Sequence, residues 1–325
     1  MKILAVDDDP FILELLTIMS TRLGFADIIT VPSGEAALET LRDTASTFDC
    51  FLLDISMPGM DGIELCSRIR SLSAYRTTPI IMLTAMTDTD YVERAFKAGA
   101  TDYANKPFDI VELGARLRIA QELVMARAST KPKDDAQPGS DTPNPIGTHQ
   151  FELSDEIAFE DIDSLVELTA LGNYLIQLSR DAAIASQVIA VKVEDIEAIY
   201  DQTSSDQFIG ALEHVIKSIG SVFDSYGYLM GYTGNGIFII ISHKVKLEPS
   251  ISLEHKIQAL LEENALPLEN GVSFPIEVSL GNPIRPSTNK TQPVRKTFER
   301  AISRAENRAA KKRAEVVAPK KRIIG

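Results

Sequence analysis

The first 128 residues alternate between short strand-like runs and segments with helical periodicity, and this alternation limits the possible folds more than any other feature. Five repeats of a strand followed by a helix predict an α/β domain, a doubly wound five-stranded parallel sheet of the flavodoxin-like kind with helices on both faces. Ligands of such sheets bind at the carboxyl ends of the strands. The predicted strands are Ile3–Val6, Ile28–Val31, Phe51–Leu53, Ile80–Leu83 and Asp102–Ala104, and the predicted helices lie near residues 10–23, 33–45, 61–72, 88–98 and 108–127.

A change of composition divides the chain. Residues 129–150 contain four prolines, two glycines and no apolar periodicity, which predicts an extended, flexible linker. A chain of 325 residues also exceeds what one hydrophobic core usually supports. We therefore predict a first domain over residues 1–128, a linker over 129–150, a second domain over 151–310 and a basic tail over 311–325.

The second domain has a different order of elements. The pattern predicts helix, strand, helix, hairpin, helix, strand and helix, which is the βαββαβ order of an α+β ferredoxin-like palm. The predicted segments are a helix near 160–183, a strand at Val188–Val193, a helix near 206–226, a hairpin of Tyr228–Tyr232 and Ile237–Ser242, a helix near 252–264, a strand at Ile276–Leu280 and a helix from about Val294.

Charge and composition exclude several classes of protein. The net charge of −13 argues against a nucleic-acid binder as a whole, although Arg295 to Gly325 carry 11 basic and 3 acidic residues and keep that option open. No apolar run approaches the ~20 residues of a membrane span. Cys50 and Cys66 lack metal-ligand spacing and are typical of reduced thiols in a cytoplasmic protein.

Polar residues follow four of the predicted parallel strands. Asp7 and Asp8 follow the first strand, Asp54 and Thr84 end the third and fourth, and Lys106 follows the fifth. Because these strand ends share one edge of the sheet, we expect the side chains to converge. Three neighbouring carboxylates repel one another unless a cation is bound, and Mg²⁺ prefers such oxygen ligands. The group predicts phosphoryl transfer onto an aspartate, with Lys106 and Thr84 contacting phosphate oxygens.

The stretches ILAVDDDP, LLDISMPGMDG, IMLTAM and AGATDYANKPF, spread over residues 1–128, resemble those of a response-regulator receiver (CheY-like) domain. The resemblance implies Asp54 as the phosphoacceptor. It implies that Asp8, Asp54 and the backbone carbonyl of Ser56 bind Mg²⁺, and that Asp7 helps through water.

The same resemblance implies that Thr84 and Lys106 hold the phosphoryl group and that Tyr103 is the aromatic switch residue. Tyr103 at this point is also compatible with ordinary core packing. Asp9 and Asp61 are better interpreted as helix caps than as chemical groups.

The second domain resembles a diguanylate cyclase (GGDEF) domain in LTALGNY, VSLG and RAISRAENR. In that register Gly236 and Ile237 replace the two acids of the signature. Lys192 and Tyr200 stand at the positions of the family's metal-binding Asp and guanine-reading Asn. The inhibitory RxxD motif is also missing.

An alternative resemblance is to class III adenylate/guanylate cyclases, through VEDIEAIY and YTGNGIFII. There Asp195 would keep one metal-binding carboxylate and Asn235 would have lost the other. Either register leaves the hairpin tip without the acids that two divalent cations need, so we expect a degenerate, non-catalytic domain. A weaker alternative is that Gly234 and Gly236 let the backbone approach a nucleotide phosphate.

Taken together, the sequence predicts a cytoplasmic two-component response regulator. Its expected partners are a sensor histidine kinase or phosphotransfer protein and an unidentified output protein or a second copy of the chain, with no nucleic acid and no membrane. Two alternatives stay open: a receiver-controlled active nucleotidyl cyclase, and a transcription regulator that acts through the basic end. The four histidines, His149, His214, His243 and His255, show no ligand spacing and are predicted at the surface.

Overall fold

The computed structural model describes residues 1–42, 47–85, 89–130, 146–157, 159, 162, 164–178, 180–243, 246–263, 275–286 and 294–317. The chain divides into two compact units, an N-terminal unit (Met1–Pro138) and a C-terminal unit (Gly139–Gly325). Each unit has its own sheet, so each is described separately below.

The N-terminal unit contains a five-stranded parallel sheet in the order β2-β1-β3-β4-β5. The central strands are buried along their whole length because helices cover both faces of the sheet. The elements are β1 Ile3–Val6, α1 Pro10–Arg22, β2 Ile28–Val31, α2 Gly34–Arg42, β3 Cys50–Asp54, α3 Gly62–Arg70, β4 Ile80–Thr84, α4 Thr89–Lys97, β5 Asp102–Asn105 and α5 Ile110–Thr130. This confirms the predicted doubly wound sheet.

Two helices begin at the predicted capping residues. The side chain of Asp9 accepts a hydrogen bond from the backbone N–H of Phe11 before Pro10 opens α1, and Asp61 accepts one from Glu64 at the start of α3. Aspartate caps of this kind satisfy backbone donors that a helix leaves unpaired. They therefore anchor α1 and α3 directly behind the ends of β1 and β3.

The C-terminal unit contains a four-stranded antiparallel sheet in the order β7-β8-β6-β9. Its elements are α6 Leu168–Gln177, α7 Arg180–Ala185, β6 Gln187–Val193, α8 Ile196–Asp201, α9 Ser205–Phe223, β7 Tyr228–Tyr232, β8 Ile237–Ser242, α10 Ser250–Glu263, β9 Val278–Leu280 and α11 Val294–Val317. Strand β8 is central, and all six of its residues are buried. One face of the sheet forms a core with apolar side chains of α9 and α10, such as Phe208, Ile216 and Ile257.

Several parts of the sequence-based assignment differ from the structure. Residues 164–167 are not helical: Leu165 forms a parallel bridge to Met230, and the Val166 N–H donates to the Met230 carbonyl, so this segment pairs with the edge of β7. Helix α8 lies in a stretch where no element was predicted. The linker cannot begin at 129, because α5 continues to Thr130; residues 131–145 of the predicted linker lie outside the described residues.

The last part of the predicted linker packs against the C-terminal unit. The Gly147 N–H donates to the Thr203 carbonyl at 3.0 Å, and the His149 ring stacks on Tyr200 with 3.7 Å between ring centroids. Residues 146–150 therefore belong structurally to the second unit. Among the described helices, none combines the length and apolar character needed to cross a bilayer.

Candidate functional site

Three carboxylates meet at the carboxyl edge of the N-terminal sheet. Val6 and Leu53 are partners in the β1–β3 register, so the residues that follow them, Asp7 and Asp54, lie side by side. One oxygen from each of Asp7, Asp8 and Asp54 lies within 4.8 Å of the others. Asp7 and Asp54 are buried and Asp8 is exposed, so the cluster opens to solvent on one side. We call Asp7, Asp8 and Asp54 the acid rim.

Lys106 brings positive charge to the acid rim. Its backbone N–H donates to the Thr84 carbonyl at 2.7 Å, which fixes the chain beyond β5. Its ammonium group lies 2.7 Å from Asp7 Oδ2 and 2.7 Å from Asp54 Oδ1. The peptide bond between Lys106 and Pro107 is cis. One ammonium thus pairs with two of the three carboxylates, which leaves an excess of negative charge at this edge.

The protonation behaviour of these groups follows from that balance. Burial raises the pKa of Asp54; Lys106 opposes this rise, and Asp7 and Asp8 add to it. Burial alone would lower the pKa of Lys106, but its hydrogen bonds to Asp54 and Asp7 outweigh burial and raise the pKa. Lys106 therefore stays charged, while Asp54 is a carboxylate whose ionisation the fold disfavours until more positive charge arrives.

The loop after β3 is closely tied to Asp54. The Ser56 N–H donates to Asp54 Oδ2 at 3.1 Å, and the Gly62 N–H donates to the Ile55 carbonyl at 3.0 Å. A Cβ at Gly62 would lie 2.0 Å from the Asp54 carbonyl oxygen, so only glycine fits there. This loop holds Ser56 two residues beyond the carboxylate.

Thr84 and Tyr103 occupy the neighbouring strands β4 and β5. Both are buried, with Thr84 at 1% and Tyr103 at 6% exposure. The Tyr103 ring meets Phe96 edge-on, with 6.5 Å between centroids. Burial raises the pKa of Tyr103 to about 12, so its phenol is neutral. Tyr103 is packed inward in this structure, as either of its two sequence-based interpretations allows.

The acid rim suits a hard divalent cation. Carboxylate oxygens are the ligands that Mg²⁺ prefers, and the exposed Asp8 leaves room for the waters that Mg²⁺ retains. The residues available for such an ion are Asp7, Asp8 and Asp54, with Ser56 beside them. Among the described residues this is the one group of three or more His, Cys, Asp or Glu side chains close enough to hold a metal ion.

The hairpin tip of the C-terminal unit is built differently. Gly234, Asn235 and Gly236 all have positive φ, and the Ile237 N–H donates back to the Gly234 carbonyl at 3.1 Å. The Asn235 N–H donates to the Leu153 carbonyl at 2.8 Å. A Cβ at Gly234 would lie 2.3 Å from the Ser154 carbonyl oxygen. Because Gly234 has no side chain, residues 153–154 of the same chain can pack directly against the tip.

The positions that the two cyclase registers single out do not gather acids near this tip. Lys192 lies within β6 opposite Ile237, and the Tyr200 hydroxyl donates to the Phe151 carbonyl. Asp195 has a left-handed backbone, and its carboxylate lies 3.7 Å from Arg313 in a weak surface pair. Neither register assembles the carboxylates of a two-metal centre in the described part of this unit.

Part of the basic end forms ion pairs with acidic residues of its own unit. Arg308 on α11 donates to both oxygens of Glu254, a buried residue of α10. Lys312 lies 3.1 Å from both Glu194 and Glu277. Sequence patterns missed these pairs because each joins residues more than 30 positions apart. Residues 318–325, including Lys320, Lys321 and Arg322, lie outside the described residues.

The surface prediction for the histidines is wrong in part. His149 and His243 are half-buried in aromatic contacts, with Tyr200 and Tyr174 respectively, and His214 is also half-buried. His255 is exposed as expected.

Comparison with known proteins assigns the N-terminal unit. A family model described as the response regulator receiver domain matches residues 3–118, which contain the whole acid rim and Lys106. The N-terminal unit is therefore a response regulator receiver domain, of the CheY-like kind. The family match ends at residue 118, so it does not extend to the C-terminal unit.

Two curated relatives agree with this assignment. The DNA-binding response regulator MtrA of Mycolicibacterium smegmatis is 44% identical over 117 residues, 36% of this chain and 49% of MtrA. The transcriptional regulatory protein CseB of Streptomyces avermitilis is 39% identical over 145 residues, 45% of this chain and 57% of CseB. The match thus spans about half the length of these curated relatives. The solved structure of chemotaxis protein CheY4 of Vibrio cholerae is 32% identical, with a TM-score of 0.34, and the match covers 38% of this chain and 97% of CheY4.

Proposed function

We propose that this protein is the response regulator of a two-component phosphorelay and that Asp54 is its phosphoacceptor. The observation that carries the proposal is the acid rim with Lys106 between two of its carboxylates, inside a receiver domain. A histidine kinase or phosphotransfer protein donates the phosphoryl group. An oxygen of Asp54 forms the new P–O bond, the P–N bond to the donor histidine breaks, and the histidine leaves as neutral imidazole after taking up a proton.

In this proposal each residue at the rim has a task. Asp7, Asp8, Asp54 and the Ser56 carbonyl would hold Mg²⁺, which would supply positive charge to neutralise the transferring phosphoryl group. Lys106 is already paired with Asp54 and moves onto a phosphoryl oxygen once Asp54 carries the acyl phosphate. The Thr84 hydroxyl donates a hydrogen bond to another phosphoryl oxygen. Tyr103, on the adjacent strand, responds to the movement of Thr84. The phosphorylated state then shifts the population of receiver conformations that the output unit senses.

Phosphoryl labelling tests the proposal directly. The purified chain, incubated with acetyl phosphate and Mg²⁺, should acquire a base-labile label on Asp54, and Asp54→Asn should abolish it. Asp9→Asn is the matched control, because asparagine also caps a helix and Asp9 lies outside the rim. An unlabelled wild-type protein, or a label that survives in Asp54→Asn, would contradict the proposal.

We further propose that the C-terminal unit is a degenerate cyclase-like palm with a non-catalytic output role, in a cytoplasmic protein. The strand order β7-β8-β6-β9 within a βαββαβ sequence supports the ferredoxin-like assignment. The hairpin tip supports loss of activity, since the segment 153–154 lies against it and Gly236 and Ile237 replace the acids. Its partner is then an output protein or a second copy of the chain.

Nucleotide turnover separates this proposal from an active cyclase. Phosphorylated protein, incubated with GTP or ATP and either Mg²⁺ or Mn²⁺, should form neither cyclic di-GMP nor cyclic AMP. Detection of either product at a rate proportional to enzyme concentration would replace the non-catalytic assignment with the cyclase alternative.

A transcription regulator is the second candidate, because the relatives MtrA and CseB are named as DNA-binding or transcriptional regulators. In this chain Arg308 and Lys312 are engaged by Glu254, Glu194 and Glu277, which reduces the charge available for DNA phosphates. We expect no shift of random duplex DNA at low salt. A shift that weakens steeply as salt rises would favour the DNA-binding alternative.

A further inference from the structure

We propose that Glu35, on α2, is a positioning residue for the loop that follows Asp54: its carboxylate holds the backbone at Met60 and thereby keeps Ser56 in place at the acid rim. The inference deepens the proposed function and rests on it. It concerns a residue that makes no contact with the acid rim in the described structure and acts only through the loop.

The contact itself is a hydrogen bond between two elements 25 residues apart. Oε1 of Glu35 accepts from the Met60 N–H at 3.2 Å. The same oxygen lies 3.1 Å from the point that a Cβ at Gly59 would occupy, and Gly59 has φ +77°. Glycine at 59 thus satisfies two demands, a left-handed backbone and the close approach of the carboxylate. The far side of the loop is shaped around Glu35.

Apolar packing reinforces this anchor. The Met60 side chain is buried at 7% exposure and lies against Gly34, where an added Cβ would meet the Met60 sulfur at 3.0 Å. The first turn of α2 therefore contacts Met60 of the loop in two ways. Gly34 packs against the Met60 sulfur, and Glu35 accepts a charge-assisted hydrogen bond from the Met60 N–H. Hydrogen bonds to an ionised acceptor are stronger than neutral ones.

The near side of the loop is attached to the phosphoacceptor. The Ser56 N–H donates to Asp54 Oδ2 at 3.1 Å, and the Gly62 N–H donates to the Ile55 carbonyl at 3.0 Å. Ser56 thus lies between the attachment at Asp54 and the attachment at Glu35. Loss of the second attachment widens the range of backbone positions at Ser56 without altering any of the three rim carboxylates.

The charge state of Glu35 fits this role. Its own backbone N–H lowers the pKa of Glu35 against partial desolvation, and the Met60 N–H lowers it further. The carboxylate is therefore ionised and able to accept at neutral pH. Because Glu35 is exposed, water competes for the hydrogen bond, and we expect a moderate effect.

Three variants test the inference. Glu35→Ala removes the acceptor, and Glu35→Gln keeps an amide oxygen that can accept from Met60. Glu39→Ala removes the same charge one turn further along α2, where the described structure gives Glu39 no hydrogen bond or ion pair. Mn²⁺ binding, measured by electron paramagnetic resonance without any phosphodonor, reports on the rim. Amide hydrogen exchange over residues 55–62 reports on the loop.

We expect Glu35→Ala to weaken Mn²⁺ binding by about tenfold, at the low end for residues that orient metal ligands, and to speed exchange at Met60. The Mn²⁺ affinity of Glu35→Gln should lie within about twofold of that of the wild type. The Mn²⁺ affinity of Glu39→Ala should equal that of the wild type. If Glu35→Ala lowers only the melting temperature, or if Glu35→Gln weakens binding equally, the inference is overturned. A wild-type protein that neither binds Mn²⁺ nor takes a label would instead overturn the proposed function.

Discussion

Each unit of this protein contains a lysine placed between carboxylates, and the two clusters differ in how the charge is balanced. In the N-terminal unit Lys106 lies 2.7 Å from both Asp7 and Asp54, while Asp8 joins them without a cation of its own. In the C-terminal unit Lys312 lies 3.1 Å from both Glu194 and Glu277. The first cluster has three acids for one cation.

The second cluster has two cations for three acids. Arg313 adds a second cation, 3.8 Å from Glu194 and 3.7 Å from Asp195. The Ser279 hydroxyl also donates to Glu194 at 2.6 Å. The same residue types therefore have different consequences. Three converging carboxylates with one cation at a strand edge favour a divalent cation, whereas three carboxylates that share two cations attach a helix to its sheet.

The largest expected effect concerns the hairpin tip. Gly234→Ala places a Cβ 2.3 Å from the Ser154 carbonyl oxygen, on a backbone with φ +81°. Left-handed strain and overpacking together should lower the free energy of unfolding by about 2–5 kcal/mol. Gly210→Ala, in α9 with open space around it, should instead stabilise by about 0.5–1 kcal/mol. Urea unfolding of the C-terminal unit measures both. Equal stabilities for the two variants would mean that segment 153–154 does not rest on the tip.

Magnesium should stabilise one unit and not the other. At about 100 times its dissociation constant, Mg²⁺ should add about 2.7 kcal/mol to the N-terminal unit. Both cysteines, Cys50 and Cys66, lie in that unit, and burial raises their pKa to about 12 and about 11. Alkylation of these thiols at pH 8 therefore reports the opening of the N-terminal unit alone.

The thiol experiment has a counterpart in the other unit. Ser242→Cys places a buried thiol in β8, where labelling should be insensitive to Mg²⁺. Slowing of about 100-fold is expected at Cys50 and Cys66, which is 2.7 kcal/mol expressed as a rate ratio. Equal slowing at all three thiols would show that Mg²⁺ does not distinguish the two clusters.

Removal of Lys312 should test the role of the cluster of Lys312, Arg313, Glu194, Glu277 and Asp195. Lys312→Gln leaves the buried Glu194 with only the Ser279 hydroxyl and the more distant Arg313 as partners. It should lower the free energy of unfolding by about 1–3 kcal/mol. Lys311→Gln is the control, because Lys311 is exposed and its pair with Glu315 is long, at 3.9 Å, so a change within about 0.5 kcal/mol is expected. Urea midpoints compare the two; a larger loss from Lys311→Gln would refute the assignment.

The smallest effect is a contrast in titration. Hydrogen bonds from Lys256, Ser252 and Tyr226 lower the pKa of Glu248 to about 2, whereas burial raises the pKa of Asp54. Stability from Glu248 is thus present above its ordinary pKa of 4.5 and lost as pH falls through about 2. Carboxyl ¹³C titration should place Glu248 below and Asp54 above the usual range. Glu248→Gln should reduce the loss of stability of the C-terminal unit at acidic pH.

The sequence predicted the N-terminal edge well because one topological rule suffices there. Parallel strands end at the same edge, so Asp7, Asp54 and Lys106 had to converge, and the distances agree. The chemical roles of these residues remain predictions. Helix caps at Asp9 and Asp61 were equally accessible, since capping depends on neighbours within three residues.

The remaining features depend on contacts between distant segments. Leu153 reaches Asn235, Glu35 reaches Met60, and Lys312 reaches Glu194. None of these segments carries a periodic pattern that identifies its partner. Helix α8 was missed because its six residues are too few for helical periodicity to be recognised. Long-range packing, which local propensity does not encode, decides these features.

Strand β8 has a consequence for handling the protein. Its run Ile237-Phe238-Ile239-Ile240-Ile241 is protected by β6 and β7 on its edges and by side chains on both faces. Five consecutive apolar, β-prone residues without charge or proline form a segment of the kind that assembles into intermolecular sheets once exposed. We therefore expect denaturation of the C-terminal unit to lead to aggregation, and the recoverable yield of the whole chain to depend on how rarely this strand is released.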